Sequence, residues 1–279
     1  MRTVAIVNQK GGVGKTTTSV NLAAALAAVG QRVLVIDMDP QANSTSWLGQ
    51  DKTASPSMYD VLTEEFHPRV VCPVSQVVRA TNVEGVRIAP ATRKMATTDL
   101  ALALEPGGMG IHHLRGTMAG LADRYDFTLI DCPPSLGMLS ACALNAADEI
   151  IIPLEPEHLS LEGIQELWQT ILKVRMSNHT LVVTGLLINQ FIAVGTARSE
   201  VVTRVENWFG PLVFDTRISK DIRLEECPAY RLPILQRAPA GRAAQQFRDL
   251  AAEVLDAKRT AVAHAAFQSI ITGNGNGRG

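Results

Sequence analysis

The sequence predicts an α/β fold: a single domain built on a mostly parallel sheet of about seven strands flanked by helices. Three observations carry this. Short, β-branched, nearly all-apolar runs alternate with longer helical patterns, the order that builds parallel sheets covered on both faces. A glycine-rich loop joins the first such run to the first helical pattern. No linker-like stretch divides the 279 residues, a length that one α/β domain commonly reaches.

The elements follow in order. RTVAIVN (Arg2–Asn8) is a β-branched run that ends in the glycine-rich loop. Lys15–Val29 is rich in Ala and Leu and reads as a helix, with Gly30 as its stop. RVLVID (Arg32–Asp37) is the second strand, and strand, helix and strand together make a βαβ unit. Further strands are expected at Val86–Ala91, Asp126–Pro134, Asp148–Pro156, Leu181–Gln190 and Pro211–Thr216. Helices are expected at His112–Tyr125, Leu159–Met176, Arg198–Phe209 and Gly241–Phe267. Gln50–Val83 carries no clear period, and no internal repeat is visible. The domain is expected to fill residues 1–270, with 271–279 a flexible Gly/Asn tail.

Composition excludes several classes. Lys and Arg total 26 against 27 acids, a net charge of −1, so any nucleic-acid site must be a local patch. Cys72, Cys132, Cys142 and Cys227 form no C-x-x-C pair, which fits a reduced, cytoplasmic protein without a zinc ribbon or disulfide framework. A strand follows Met1 at once, so no signal peptide is expected. No apolar run approaches the roughly 18 residues of a membrane helix. Trp47, Trp168 and Trp208 are scattered and suggest packing, not a base-stacking platform.

The loop is VNQKGGVGKTTT, Val7–Thr18. Gly11, Gly12 and Gly14, with Val13 between them, let backbone N–H groups turn toward an anion, and the helix that begins at the loop adds its positive end. Lys15 can reach the β- and γ-phosphates of a nucleotide, Thr16 can ligate Mg²⁺, and Thr17 completes the cradle. Two features are unusual for a P-loop. Gln9 stands where its first glycine belongs, and a second lysine, Lys10, lies inside the loop. A hydrophobic strand then delivers Asp131 of DCPPS to its C-terminal end, where open α/β sheets bind ligands and where P-loop enzymes need an acid for Mg²⁺.

KGGVGKTT, DMDPQANSTSWLG, DCPPSLG, LEGIQEL and IRLEECPAY together resemble the deviant Walker A ATPases of the ParA/Soj partition family, over nearly the whole chain. The resemblance implies a P-loop ATPase that uses ATP and Mg²⁺. It implies that Lys10 crosses a homodimer interface to the partner's ATP, acting as an arginine finger does. It implies that Asp39 orients the attacking water and senses Mg²⁺, so the expected metal residues are Thr16, Asp39 and Asp131. Asp37 keeps two readings: a bond to the loop or Thr16, or a cap on its strand. Asn189, ending LLINQ, is either a base-reading side chain or a turn residue, with the segment near Pro233 as the other wall. His112 and His113 are expected to be structural.

The family implies an ATP-dependent dimer that binds double-stranded DNA without sequence preference. A ParB-type partner would stimulate hydrolysis to segregate a plasmid or chromosome locus, in the cytoplasm on the nucleoid. The residues carried over for DNA are Arg198, Arg217, Lys220 and Arg223, with Arg204 on the same helix as Arg198. No N-terminal DNA-reading extension of the kind that some plasmid relatives carry is expected. The alternatives are a ParA relative that positions a non-DNA cargo and a MinD-like membrane-cycling ATPase. The second would need a basic amphipathic C-terminal helix, and KRTAVAHAAFQSIITGNGNGRG is Ala-rich instead. Electron transfer of the nitrogenase iron-protein kind would need cluster cysteines that the sequence does not offer.

Overall fold

A computed structural model describes residues 1–63, 72–156, 161–190 and 196–272. In chain order the elements are β1 (Arg2–Ile6), α1 (Lys15–Ala28), β2 (Val33–Asp37), α2 (Asn43–Trp47), α3 (Met58–Leu62), α4 (Val74–Val77), β3 (Arg79–Ala80) and β4 (Val86–Ala89). Then come α5 (Thr98–Ala103), α6 (His113–Thr117), β5 (Phe127–Asp131), α7 (Met138–Ala146), β6 (Glu149–Leu154), α8 (Leu161–Val174) and β7 (Val182–Ile188). The chain closes with α9 (Thr196–Phe209), α10 (Ile222–Tyr230), α11 (Ile234–Arg237), α12 (Arg242–Leu255) and α13 (Ala257–Ile271).

The seven strands form one sheet in the order β3-β4-β2-β5-β1-β6-β7. All neighbours are parallel except the short edge pair β3 and β4. Successive strand residues feed two different cores, as the two-residue period of a strand requires. Val4, Ile6, Val33 and Val35 pack with α1 and α12, through Leu22, Leu26, Phe247 and Leu250. Ala5, Val7, Leu34 and Ile36 lie in the other core with α7, α8 and α13, through Cys142, Leu167, Ile171 and Phe267. The sheet is therefore buried on both faces, which is why its strands read as unbroken apolar runs.

Gly30 ends α1 as expected. Its φ is 87°, its N–H bonds Ala27 O, and Gln31 N–H bonds Leu26 O, the paired closure that a left-handed glycine permits.

Three expected elements differ. Pro211–Thr216 is not a strand: Gly210–Leu212 is a 3-10 turn and only Val213 bridges Leu186. Proline cannot donate to a sheet ladder, and the run packs as an extended segment. The seventh strand is instead β3, inside the stretch that carried no period. The expected helix His112–Tyr125 is only α6, because Gly120 takes φ 78° and the chain turns there. Gly241–Phe267 is two helices, broken at Asp256, whose extended backbone and carboxylate cap Lys258 N at 2.8 Å. The expected tail lies largely outside the described residues.

Phe214 sits on Gly185 of β7, and a methyl group added there would overlap its ring. The ring cannot retreat freely, since the Arg259 guanidinium lies 3.7 Å from its centroid and Phe214 is 2% exposed. Gly185→Ala is expected to destabilise the fold by about 2–3 kcal/mol, the cost of overpacking. Urea denaturation checks this; a loss below about 0.5 kcal/mol, the usual scatter of a harmless substitution, would mean that the ring relaxes.

Candidate functional site

The site lies where β1 sits between β5 and β6, at the C-terminal edge of the sheet. Here the chain leaves β1 and wraps into α1. Neighbouring segments brace the loop. Asn8 Nδ2 donates to Pro153 O at 2.7 Å, Gln190 Nε2 to Gly12 O at 2.8 Å, and Asn189 Nδ2 to Val13 O at 3.1 Å. Gly12 and Gly14 hold φ of 83° and 89°. A side chain at Gly14 would also meet Asn189 Nδ2 at 2.5 Å, so both backbone and space demand glycine there.

The two lysines of the loop face different surroundings. Lys15 is 7% exposed, and its ammonium donates to Lys10 O at 2.7 Å, folded across its own loop. Burial lowers its pKa, and the charge of Asp131 opposes that shift. Lys10 is exposed.

Asp131 ends β5 and is fully buried. It accepts from Thr16 Oγ1 at 2.9 Å, Ser19 Oγ at 3.0 Å and Ser44 Oγ at 2.5 Å. These bonds tie α1 and the segment after β2 to one carboxylate. Burial pushes Asp131 up to about 6 despite the three hydroxyls. Asp37 does not bond the loop or Thr16. It accepts Asp39 N at 3.1 Å, Thr45 N at 2.8 Å and Thr45 Oγ1 at 2.7 Å, so it shapes the turn after β2. Burial, and then repulsion from Asp131, raises its pKa to about 8. Asp39 lies on that turn, 7% exposed, and accepts Gln41 N at 2.9 Å; burial raises it too.

Beside the loop a cavity of about 210 Å³ is lined by Gly12, Gly14, Thr17 and Asn189 on one side and by Ser219 and Lys220 on the other. Across this cavity from the loop stands the segment before α10. Pro233 stands at the start of α11, where Asn21 Oδ1 accepts Ile234 N at 2.7 Å. Asn189 is 2% exposed and its amide N–H groups are used on Val13 O and Thr18 Oγ1. In this arrangement Asn189 holds the loop from behind, and its donor is not presented to a base.

A family model described as an AAA domain matches residues 1–183. The sporulation initiation inhibitor protein Soj of Bacillus subtilis is 39% identical over 253 residues, covering 90% of this chain and 97% of that protein. The chromosome-partitioning ATPase Soj of Treponema pallidum is 36% identical, covering 91% and 97%. The chain belongs to the ParA/Soj family of chromosome-partitioning ATPases. Among solved structures, the cobyrinic acid a,c-diamide synthase of Mycobacterium smegmatis with bound ATP analogue and magnesium is 31% identical, with a TM-score of 0.76 over 91% of this chain and 94% of that one.

For a ParA/Soj chain the donor set is chemically apt for Mg²⁺. Three buried carboxylates, Asp37, Asp39 and Asp131, are all held above their ordinary pKa, chiefly because burial penalises their charged form, a penalty that a bound cation would offset. Among the described residues no group of three or more His, Cys, Asp or Glu could cage a metal. Mg²⁺ needs no such cage, because it keeps waters and phosphate oxygens around one or two protein ligands. Sequence reasoning missed Ser19, Ser44 and Thr45. Each is a single hydroxyl whose carboxylate partner is distant in sequence or carries no helical or strand period.

The residues carried over for DNA do not form one bare cationic face in this ParA/Soj chain. Arg223 pairs with Asp221 at 2.7 Å, and Arg217 pairs with Glu206. Lys220 is exposed, has no ion pair among the described residues, and lines the cavity beside the loop. Arg204 is exposed on α9. Arg198 lies on the same helix, and its side chain is outside the described residues. His113 pairs with Glu105 at 2.9 Å and His112 meets Asn145 at 3.0 Å, both structural.

Proposed function

We propose that this ParA/Soj chain is an ATP-driven dimerising switch that binds DNA without sequence preference. It would hydrolyse ATP with Mg²⁺ to move a plasmid or chromosome locus, with a ParB-type protein as partner. The observation that carries the reading is the split between its two loop lysines. Lys15 is buried where the phosphates of its own nucleotide would lie, and Lys10 is exposed on the same loop.

The chain's residues divide the work. Gly11, Gly12, Val13 and Gly14 present backbone N–H groups to the phosphates, and Lys15 exchanges Lys10 O for a phosphate oxygen. Thr16, Asp39 and Asp131 would hold Mg²⁺, and Ser19 and Ser44 keep the Asp131 carboxylate in place. Asp39 orients the attacking water. When bound, Mg²⁺ neutralises charge on the phosphate oxygens. Lys10 stabilises that charge from the second subunit, in a site from which dimerisation excludes water.

Lys10→Ala is expected to bind ATP within about threefold of the parent chain yet to remain monomeric with it, since the lost contact is made only in the dimer. Light scattering with and without ATP and Mg²⁺ tests this. Normal dimerisation and turnover would remove Lys10 from the partner's site.

DNA binding is expected to require ATP and to fall steeply with salt, with a slope of about −0.9 per phosphate contacted. Two copies of a weak patch are needed because Arg217 and Arg223 are already shared with Glu206 and Asp221. Arg198→Ala with Arg223→Ala should weaken binding to all sequences alike, flatten the slope and leave ATP-driven dimerisation intact. A filter-binding titration across salt decides it; equal DNA affinity with and without ATP would place the site elsewhere.

A non-DNA cargo would use the same switch, and a ParB-type neighbouring gene separates the two. The membrane-cycling reading is weakened by α13. Its apolar residues Ala263 and Phe267 are buried, and Phe267 packs edge-on against Trp168 with centroids 5.4 Å apart. Among the described residues no helix is long and apolar enough to cross a membrane.

A further inference from the structure

Away from the loop, the segment before α3, α3 itself and the turn after β4 line a cavity of about 370 Å³. Three of its lining residues are cations, Lys52, Arg93 and Lys94, against one carboxylate, Asp60. Asp60 is already engaged, since Ser57 N and Ser57 Oγ donate to it at 2.7 and 3.1 Å. Neither Arg93 nor Lys94 has a carboxylate partner among the described residues, and both are exposed. Lys52 donates to Gln41 O at 2.7 Å and Asn43 Oδ1 at 3.1 Å. An ammonium has three N–H groups, so one remains.

The second observation is Thr92. It lines the same cavity, is only 6% exposed, and its Oγ1 has no hydrogen-bond partner. It does not cap the 3-10 turn Arg93–Thr97 that follows it. A buried hydroxyl left without a partner costs stability unless something outside the chain bonds it. A concave space rimmed by three cations, with Thr92 in its wall, suits an anion with several oxygens, and the volume is that of a small-molecule pocket.

We propose that this cavity is a second anion site, separate from the nucleotide loop, which takes a phosphate-bearing small molecule through Thr92, Arg93, Lys94 and Lys52. The concavity favours a compact ligand over a DNA backbone, which a convex or flat surface would track. The inference stands whether or not the switch acts on DNA.

The probe is inorganic pyrophosphate, titrated calorimetrically into protein already saturated with a non-hydrolysable ATP analogue and excess Mg²⁺, so that the loop is filled. One site per chain is expected. Arg93→Gln with Lys94→Gln should weaken it about tenfold or more, since charge-assisted bonds are lost. Thr92→Val keeps the side-chain volume and removes the unpartnered hydroxyl. It should fold at least as well as the parent chain and bind pyrophosphate several-fold more weakly. The Lys15→Gln chain, tested without nucleotide, should still bind pyrophosphate. Absence of binding to the loaded protein, or equal affinity in the Arg93 and Lys94 double variant, would overturn the proposal. So would a 20-base-pair duplex that binds through these residues while pyrophosphate does not.

Discussion

Lys15→Gln is expected to lower ATP affinity about 100-fold or more, ~3 kcal/mol, as measured with a fluorescent ATP analogue in Mg²⁺. The loss is large because Lys15 is positioned in advance. Lys15 is 7% exposed and its ammonium already spans the loop to Lys10 O at 2.7 Å, so binding exchanges one acceptor for another without ordering a free side chain. Its charge also opposes Asp131 and Asp39, which otherwise repel a polyphosphate. Glutamine keeps most of the side-chain length, so thermal unfolding should show a folded chain. A folded variant with parental affinity would remove the loop from the nucleotide site.

Asp39→Ala is expected to bind ATP within about threefold, to dimerise, and to lose hydrolysis by about 100-fold or more in single-turnover assays. Positioning and proton-accepting groups contribute on that scale. The carboxylate is held by Gln41 N at 2.9 Å, and Asp37 grips the backbone of Asp39 itself at 3.1 Å. The turn is thus preset, and the variant removes a carboxylate without removing the turn. Hydrolysis within threefold of the parent rate would place the water-orienting group elsewhere. The two variants separate cleanly: the first fails before dimerisation and the second after it.

Most of the sheet was legible because each central strand is buried on both faces and reads as an apolar run. β3 was not, since two residues, Arg79 and Ala80, carry no period. PLVFDT misled for the converse reason, being apolar and β-branched but joined to the sheet only at Val213. The helix break at Asp256 was hidden by the continuous Ala-rich pattern around it. In the site, Lys15 and Thr16 could be named from the spacing of the glycine-rich loop and Asp131 from its place at a strand end, whereas Asp39 was named only through the family resemblance. The role of Asp37 was not, because its partner Thr45 lies on a five-residue helix with no pattern of its own. Asn189 was legible as a strand end, and only the fold shows that its amide faces the loop.

The position of β1 has a consequence for synthesis. Its partners are β5 and β6, and its first residue Arg2 pairs with Phe127, 125 residues later. At roughly 5–20 residues per second, the first strand made waits about 6–25 s for a partner. β2 waits too, since its neighbours β4 and β5 also come later. A ribosome stalled before residue 127 therefore carries two apolar strands with open edges, the kind of segment that aggregates. The loop cannot close until Asn8 finds Pro153 O and Gln190 finds Gly12 O. Nascent chains shorter than about 190 residues should be held by chaperones and bind no nucleotide, and the ability to bind should arrive late and abruptly.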